Sequence, residues 1–430
     1  MPEEPTSESV VRKVSRRLIP FLFLLYVFAY LDRINIGFAA LSMNRELGLT
    51  ATMFGIANTI FYVGYMFFEI PSNLMLARYG ARIWIPRIMI TWGIASTATM
   101  FASSPASLYI IRFLVGVAEA GFLPGVLLYL TYWFPQSHRA RANAVFMVAM
   151  PVTIAFGASI SGLILQWGDG LLGLSGWRWL FLVEGLPSII LGVVAAFYLT
   201  SRPADAKWLT EPEKAVLQAS LAGPERSPSR ASAWRELLGR DVILLSLAYF
   251  GLTMTLNTNA TWTPTIAREA LEGRSFSFVG LVVAIPAFLT ALVMPLWSAR
   301  SDRRKERTLH IVLPMGLAAL GWLLVAASPE PWVRFAGLVG VSIGAFAAMA
   351  VFWTVPPTIL SAAARPAGIA FISSCGIFAS ATSPLLVGRL RDLTGSFTAS
   401  IFFVAAVLVA ASALVLAARG GRDVSSPRIP

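Results

Sequence analysis

Charged side chains inside apolar stretches are where this sequence could do chemistry. In "AYLDRINIGFAAL" Asp32 and Arg33 stand side by side, in "IRFLVGVAEAGFLPG" Arg112 and Glu119 are seven residues apart, and Glu69 follows "FYVGYMFF". Burying a charge in a lipid-like medium is costly, so such residues pair, face water or act on a substrate. At 3.6 residues per turn Arg112 and Glu119 share one helix face, about 10 Å apart along the axis, with room for a substrate or water between them. Asn58, Tyr62, Tyr65 and Glu69 recur at spacings of four, three and four, one polar stripe on an otherwise apolar helix.

Desolvation disfavours a buried carboxylate's charge, and a neighbouring guanidinium favours it. An acid whose Arg partner is drawn away by an anion therefore changes protonation near neutral pH, which is a proton-coupling device. The guanidinium offers a planar fork to a carboxylate, which Lys does not match. Asp32, Arg33, Arg112 and Glu119 fit that device, and the competing reading is a static buried ion-pair network. For Asn58 and Tyr62, interhelical hydrogen bonding competes equally with lining a cavity. Glu69, beside Pro71 and the basic "ARYGAR", reads first as a pairing residue in a gate near the inner face.

The elements that must position these groups are membrane helices. Of 430 residues 57% are hydrophobic and 13% charged, and the mean hydropathy is +0.70, too little charge to coat a water-soluble particle. Apolar runs recur, each near the roughly 20 residues that cross a hydrocarbon core of about 30 Å. Without the short alternating segments of a barrel, backbone polar groups in lipid demand helices. The runs predict about twelve spans, at 18–38, 53–77, 83–102, 106–131, 140–165, 177–199, 241–266, 276–299, 308–327, 332–356, 366–388 and 397–418.

A polar stretch rich in Pro, Ser and charge follows the sixth run. It divides the chain into a cytoplasmic tail 1–17, a six-helix bundle 18–199, a cytoplasmic linker 200–240, a second six-helix bundle 241–418 and a cytoplasmic tail 419–430. Thr210, with Glu213 three residues on, predicts either a short surface helix or a plain linker. The opening "MPEEPTSESVVRKVSRR" has the layout of a secretory leader, but Asp32 and Arg33 interrupt the apolar run that follows, so it reads as an uncleaved first helix. With the N-terminus inside, about 25 of the 34 Lys and Arg fall on cytoplasmic segments, Arg139 and Arg141 among them, which places both termini in the cytoplasm.

The two halves echo one another. "PSNLMLARYGAR" and "PLWSARSDRRKER" each follow a proline with a basic inner loop at corresponding places, the pattern of a duplicated carrier with a central site. The second half has almost no charge at mid-membrane depth. Its Asn257, Asn259, Trp353 and Ser373 can hydrogen-bond or stack on a substrate but cannot titrate, so proton coupling belongs to the first half. Trp353, close to Pro356 and Pro357, reads equally as packing at a kink.

Other classes find little support. The formal charge of +12 sits in short clusters between apolar runs, which topology explains better than nucleic acid does. A lone Cys375 forms no intramolecular disulfide, CxxC and HExxH spacings are absent, and His138 and His310 flank spans in basic loops. That leaves no cofactor or metal set and no nucleophile–base pair for a membrane-embedded enzyme.

Several stretches in order carry a family resemblance: "YLDRINIGFAAL", "FYVGYMFFEIPSNLMLARYGAR", "RFLVGVAEAGFLPGVLLYLTYWFPQSHRARA" and "FWTVPPTILSAAARPAGIAFISS". From the first span through the last the chain resembles the organic anion:cation symporter branch of the major facilitator superfamily, and within it bacterial permeases for tartrate, phthalate and hydroxyphenylacetate. The resemblance implies an all-α, twelve-helix rocker-switch fold in the cell inner membrane, a functional monomer, and uptake of a small organic carboxylate with protons. It implies that Asp32 and Glu119 are the protonatable acids, that Arg33 and Arg112 engage substrate or regulate those acids, and that Tyr65 faces the substrate. Tyr62, Asn257, Asn259, Trp353 and Ser373 complete the binding candidates. The chain departs from the family's inner-loop signature at Asn73 and Ala77 but keeps Arg78 and, in the second inner loop, Asp302 and Arg303, which the resemblance implies as gate residues beside Glu69; it departs also at Ser373, and at Met150 and Pro151, where sugar-acid carriers often have a glutamine. The last departure leans toward a less hydroxylated or aromatic carboxylate. A proton-independent facilitator, an anion exchanger and a sodium-coupled carrier of the same fold are the alternatives, and a membrane-embedded enzyme or a transporter-like sensor that binds without flux is the remote one.

Overall fold

The computed structural model describes residues 6–418 apart from 136, 137, 140, 141, 143–145, 147, 222–237, 362 and 363. The tail 419–430, Arg141 and much of the linker lie outside the described residues. Among the described residues there is no strand. The first group of helices comprises α1 (Ser7–Glu46), α2 (Ala51–Tyr79), α3 (Ala81–Ala98), α4 (Pro105–Glu119), α5 (Phe122–Trp133), α6 (Ala149–Trp167) and α7 (Gly176–Tyr198). After α8 (Glu211–Leu221) come α9 (Arg240–Ala270), α10 (Phe276–Arg304), α11 (Thr308–Ala327), α12 (Pro331–Phe352), α13 (Arg365–Thr394) and α14 (Thr398–Ala417).

Counting α4 and α5 as one broken span, these helices make twelve crossings of an all-α membrane protein. Eleven are long and apolar enough to cross by length and composition alone; the twelfth, α3, has 18 residues and is diluted by Arg82 and Arg87. Helix starts follow local chemistry. Thr6 and Ser9 form a reciprocal capping box at α1, Thr50 accepts from the Met53 N–H at α2, and Ser104 with Pro105 starts α4. Thr210 and Glu213 cap α8 reciprocally, so the surface-helix reading of the linker is the one the structure adopts.

The predicted run 106–131 is not one helix. Ala120 leaves the helical region, Gly121 takes φ 86°, and α5 restarts at Phe122. Only glycine is at ease at that φ, and a Cβ there would lie 2.5 Å from Ser72 Oγ. Glu119 is thus the last residue of α4, where backbone carbonyls point at it without helical partners.

Each group packs on itself, and the groups meet where α2 faces α13, α6 faces α10 and α1 faces α9. These close approaches lie in the half of the bundle remote from the face where α1 begins, here called the far half. There the Ala51 and Thr52 N–H groups donate to Asp392 at 3.1 and 2.7 Å, Thr59 donates to the Ala381 carbonyl, and the Ser277 N–H donates to Gln166.

Candidate functional site

Two helices approach closely enough to assemble a charge site because glycines line the seam. A Cβ at Gly116 would sit 2.1 Å from the Phe61 carbonyl, and so α4 lies directly on α2. This brings Arg112 over Phe61, with its guanidinium carbon 4.6 Å from the ring centroid. From α1, Arg33 reaches the same place, 5.1 Å from the Tyr65 centroid.

Arg33 Nε donates to Glu119 Oε1 at 2.5 Å. Glu119 is 2% exposed and Arg112 4%. The cation that pairs with Glu119 therefore comes from α1, not from two turns up its own helix. It offsets the unfavourable meeting of a carboxylate with the negative end of α4. Arg112 forms no salt bridge among the described residues, and its Nε is buried with no hydrogen-bond partner. A buried guanidinium without an anion is an incomplete arrangement whose fork suits a carboxylate.

Asp32 points elsewhere and, contrary to expectation, is not held by the arginines. Its carboxyl accepts from Trp92 Nε1 at 2.6 Å, Ser96 Oγ at 2.8 Å, Asn35 Nδ2 at 3.1 Å and Ser188 Oγ at 3.4 Å. All four donors are neutral, because successive residues on α1 differ by about 100° in azimuth and Asp32 faces α3 and α7 while Arg33 faces α2 and α4.

Sequence reasoning passed over Glu184 of α7. It is buried, accepts from Ser161 Oγ at 2.8 Å, and has Asn35 of α1 as a neighbour. The signal was present, a carboxyl eight residues into "GWRWLFLVEGLPSIILGVV", in the same way as Glu119 was.

The remaining candidates divide. Tyr62 Oη accepts from Asn257 Nδ2 at 2.5 Å, a bond across the two groups, whereas Asn58 turns back on its own helix and donates to the Phe54 carbonyl. Asn259 accepts from Thr263 and lines a small enclosed void with Ile34, Phe38 and Ser342. Trp353 caps the end of α12, with its ring 4.9 Å from that of Tyr249. Ser373 is half-buried on α13.

The gate pairing expected of Glu69 is not formed: among the described residues Glu69, Arg78 and Arg303 make no salt bridge, and Asp302 pairs with Arg307 in its own loop at 2.6 Å. The groups are brought together in the far half, which leaves these residues without partners in the opposite group. His310 is not a loop residue but lies buried in the first turn of α11, its Nδ1 2.7 Å from Glu306 Oε2. Burial pushes the Glu306 carboxyl up, but hydrogen bonds from the Leu309 N–H and from His310 outweigh it and hold the group below the ordinary carboxylate range.

Comparison with known proteins places this geometry in a wider context. The family model described as Major Facilitator Superfamily matches residues 22–376. A protein of Agrobacterium vitis named "Putative tartrate transporter" is 45% identical over 95% of this chain and 90% of its own. A protein of Pseudomonas putida named "Putative metabolite transport protein NicT" is 39% identical over 96% of this chain and 94% of its own. Among solved structures, that of a bacterial homolog to the human lysosomal transporter Spinster superposes with a TM-score of 0.77 at 19% identity, covering 95% of this chain and 97% of that one.

Proposed function

The chain belongs to the Major Facilitator Superfamily and is a membrane transporter, not an enzyme, and from that premise we propose that it takes up a small organic carboxylate together with protons by alternating access. The observation that carries this reading is Arg112, a buried guanidinium with no salt bridge among the described residues, set beside the Arg33 and Glu119 pair.

The substrate carboxylate completes Arg112 and competes for Arg33. Once Arg33 is shared, Glu119 is left as a buried charge at a helix C-terminus and takes up a proton. Neutralising the loaded cavity removes the desolvation penalty of closing over it, and the carrier then exchanges which face is open. Asp32, held by neutral donors behind α1, is a second protonatable site that does not require Arg33 to move. Tyr65 and Phe61 form the wall on which the two guanidinium groups lie. Tyr62 and Asn257, already bonded to each other, report substrate arrival to the other half. Asn259, Trp353 and Ser373 shape selectivity, and Glu69, Arg78, Asp302 and Arg303 meet as a gate when the near face closes. We assign the working unit as a monomer of two six-helix bundles joined by a cytoplasmic linker, in the inner membrane with both termini in the cytoplasm.

Purified protein in proteoliposomes tests this. The Agrobacterium relative is named for tartrate, so tartrate is the first substrate offered, followed by aromatic and aliphatic carboxylates. An imposed pH gradient, acid outside, drives accumulation in the parent; Glu119→Gln loses that accumulation and keeps counterflow exchange. Undiminished accumulation by Glu119→Gln, or accumulation driven by sodium alone, overturns proton coupling, and accumulation of neutral analogues at the same rate overturns the carboxylate assignment.

A further inference from the structure

Outside the buried charge site, the first turns of α1 lie over the chain that follows α7. Val10, Val11 and Val14 pack there into a core with Leu209 and Leu217. Above that core opens a cavity of about 540 Å3 lined by Arg12, Lys13, Arg16, Arg17, Tyr198 and Trp208.

Its charge is only partly balanced. Glu8 lies 3.6 Å from Arg12, and Glu213 takes the Lys13 ammonium on both oxygens at 2.8 Å; that hydrogen bond holds Glu213 below the ordinary carboxylate range. Arg16 and Arg17 form no salt bridge among the described residues. The Arg17 guanidinium is clamped between two rings, 4.8 Å from the Tyr198 centroid and 4.9 Å from that of Trp208. Both rings are fixed, since Tyr198 Oη donates to the Arg17 carbonyl at 2.9 Å and Trp208 stacks on Trp133 at 5.4 Å.

The decisive detail is that Arg17 Nε and Trp208 Nε1 are both buried with no hydrogen-bond partner among the described residues. Buried donors are almost always satisfied, and two rigid ones in an under-neutralised basic cavity call for an anion with several acceptor oxygens. Immediately beside the cavity the surface turns apolar and exposed. Leu24, two turns from Arg17 on the same face of α1, is 40% exposed, and Phe197, next to Tyr198, is 80% exposed.

We propose that this cavity is a phosphate-binding site, occupied by the headgroup phosphate of an anionic phospholipid whose acyl chains run along Leu24 and Phe197. Arg17 and Trp208 supply the fixed donors, and Arg16 the neutralising charge. A zwitterionic headgroup is disfavoured because its own cation would have to enter a cavity already short of anions. The bound phosphate then ties the start of α1 to the linker, so the two move together.

Native mass spectrometry of the delipidated full-length protein, offered phosphatidylglycerol, phosphatidylcholine or inorganic phosphate, tests the site. Phosphatidylglycerol should be retained by the parent at about five times the occupancy found on Arg17→Gln or on Trp208→Phe, the second of which removes only the indole donor and keeps a ring. Phosphatidylcholine should show no such dependence. If Arg17→Gln does not fold, Trp208→Phe and Arg16→Gln carry the test. A rise in melting temperature with millimolar inorganic phosphate, lost in the variants, while phosphatidylglycerol gives none, would replace the lipid by a soluble phosphate compound and overturn the lipid assignment. Equal retention of both lipids, or retention unaffected by every variant, overturns the site itself.

Discussion

Arg33 and Glu119 join α1 to α4 through a single hydrogen bond, Nε to Oε1 at 2.5 Å, at the point where α4 stops. Breaking a buried pair from one side leaves the other charge uncompensated, which costs about 3–5 kcal/mol, whereas replacing both members by apolar groups is often neutral. Arg33→Leu should therefore lower thermal stability more than the double variant Arg33→Leu/Glu119→Leu does. Melting curves of the four proteins of the cycle in one detergent measure this. A double variant less stable than Arg33→Leu would mean the two side chains do not act as a unit.

Arg112 forms no salt bridge among the described residues and its Nε is left without an acceptor, so its exchange for lysine tests geometry rather than charge. Arg112→Lys retains a cation but loses the planar pair of donors, and the apparent KM for a carboxylate substrate should rise about tenfold, the loss of one charge-assisted hydrogen bond of roughly 1.5 kcal/mol. Counterflow at several substrate concentrations reads the change. An unaltered KM would remove Arg112 from the substrate contacts.

Charge inside apolar runs was legible without any structure, which is why Asp32, Arg33, Arg112 and Glu119 could be named from the sequence. Periodicity says which residues share a face, yet it does not say which helix that face meets. So the partner of Glu119 could not be read off, nor that Asp32 is turned toward Trp92 and Ser96. The break after Glu119 was hidden because it lies where Gly121 packs closely on Ser72, a neighbour about fifty residues away in sequence that no local pattern reveals. The twelve-span fold needed only run lengths, and those survive any uncertainty about neighbours.

Glu184 and Asn35 carry the next test. Glu184 Oε2 and Asn35 Oδ1 are each buried without a donor among the described residues, and one of the two Asn35 amide hydrogens is given to Asp32. A proton on Glu184, given to Asn35 Oδ1, satisfies both atoms at once. Infrared difference spectra of reconstituted protein at neutral pH should then contain a protonated carboxyl band that disappears in Glu184→Gln, while the melting temperature of that variant stays near the parent's because the amide can donate in the same direction. Glu184→Leu, which can donate to nothing, should melt lower. A spectrum unchanged by Glu184→Gln would place the proton elsewhere.

Asp392 of α13 caps the first turn of α2 across the two groups, taking the Ala51 and Thr52 N–H groups in the far half. Losing an N-cap carboxylate costs about 1 kcal/mol, and since this cap exists only while the far half is closed, the whole loss falls on that one state. Asp392→Ala should accordingly shift the balance toward the state open at the far face by about fivefold. A cysteine introduced at Ala260, beside the enclosed void, in a Cys375→Ser background reports it through its labelling rate with a membrane-impermeant thiol reagent supplied from the far side. Faster labelling in Asp392→Ala is the expected outcome. Equal rates would mean that the glycine contacts between α2 and α13, where a Cβ at Gly55 would meet the Pro384 carbonyl at 2.4 Å, hold the far half closed without help from the cap.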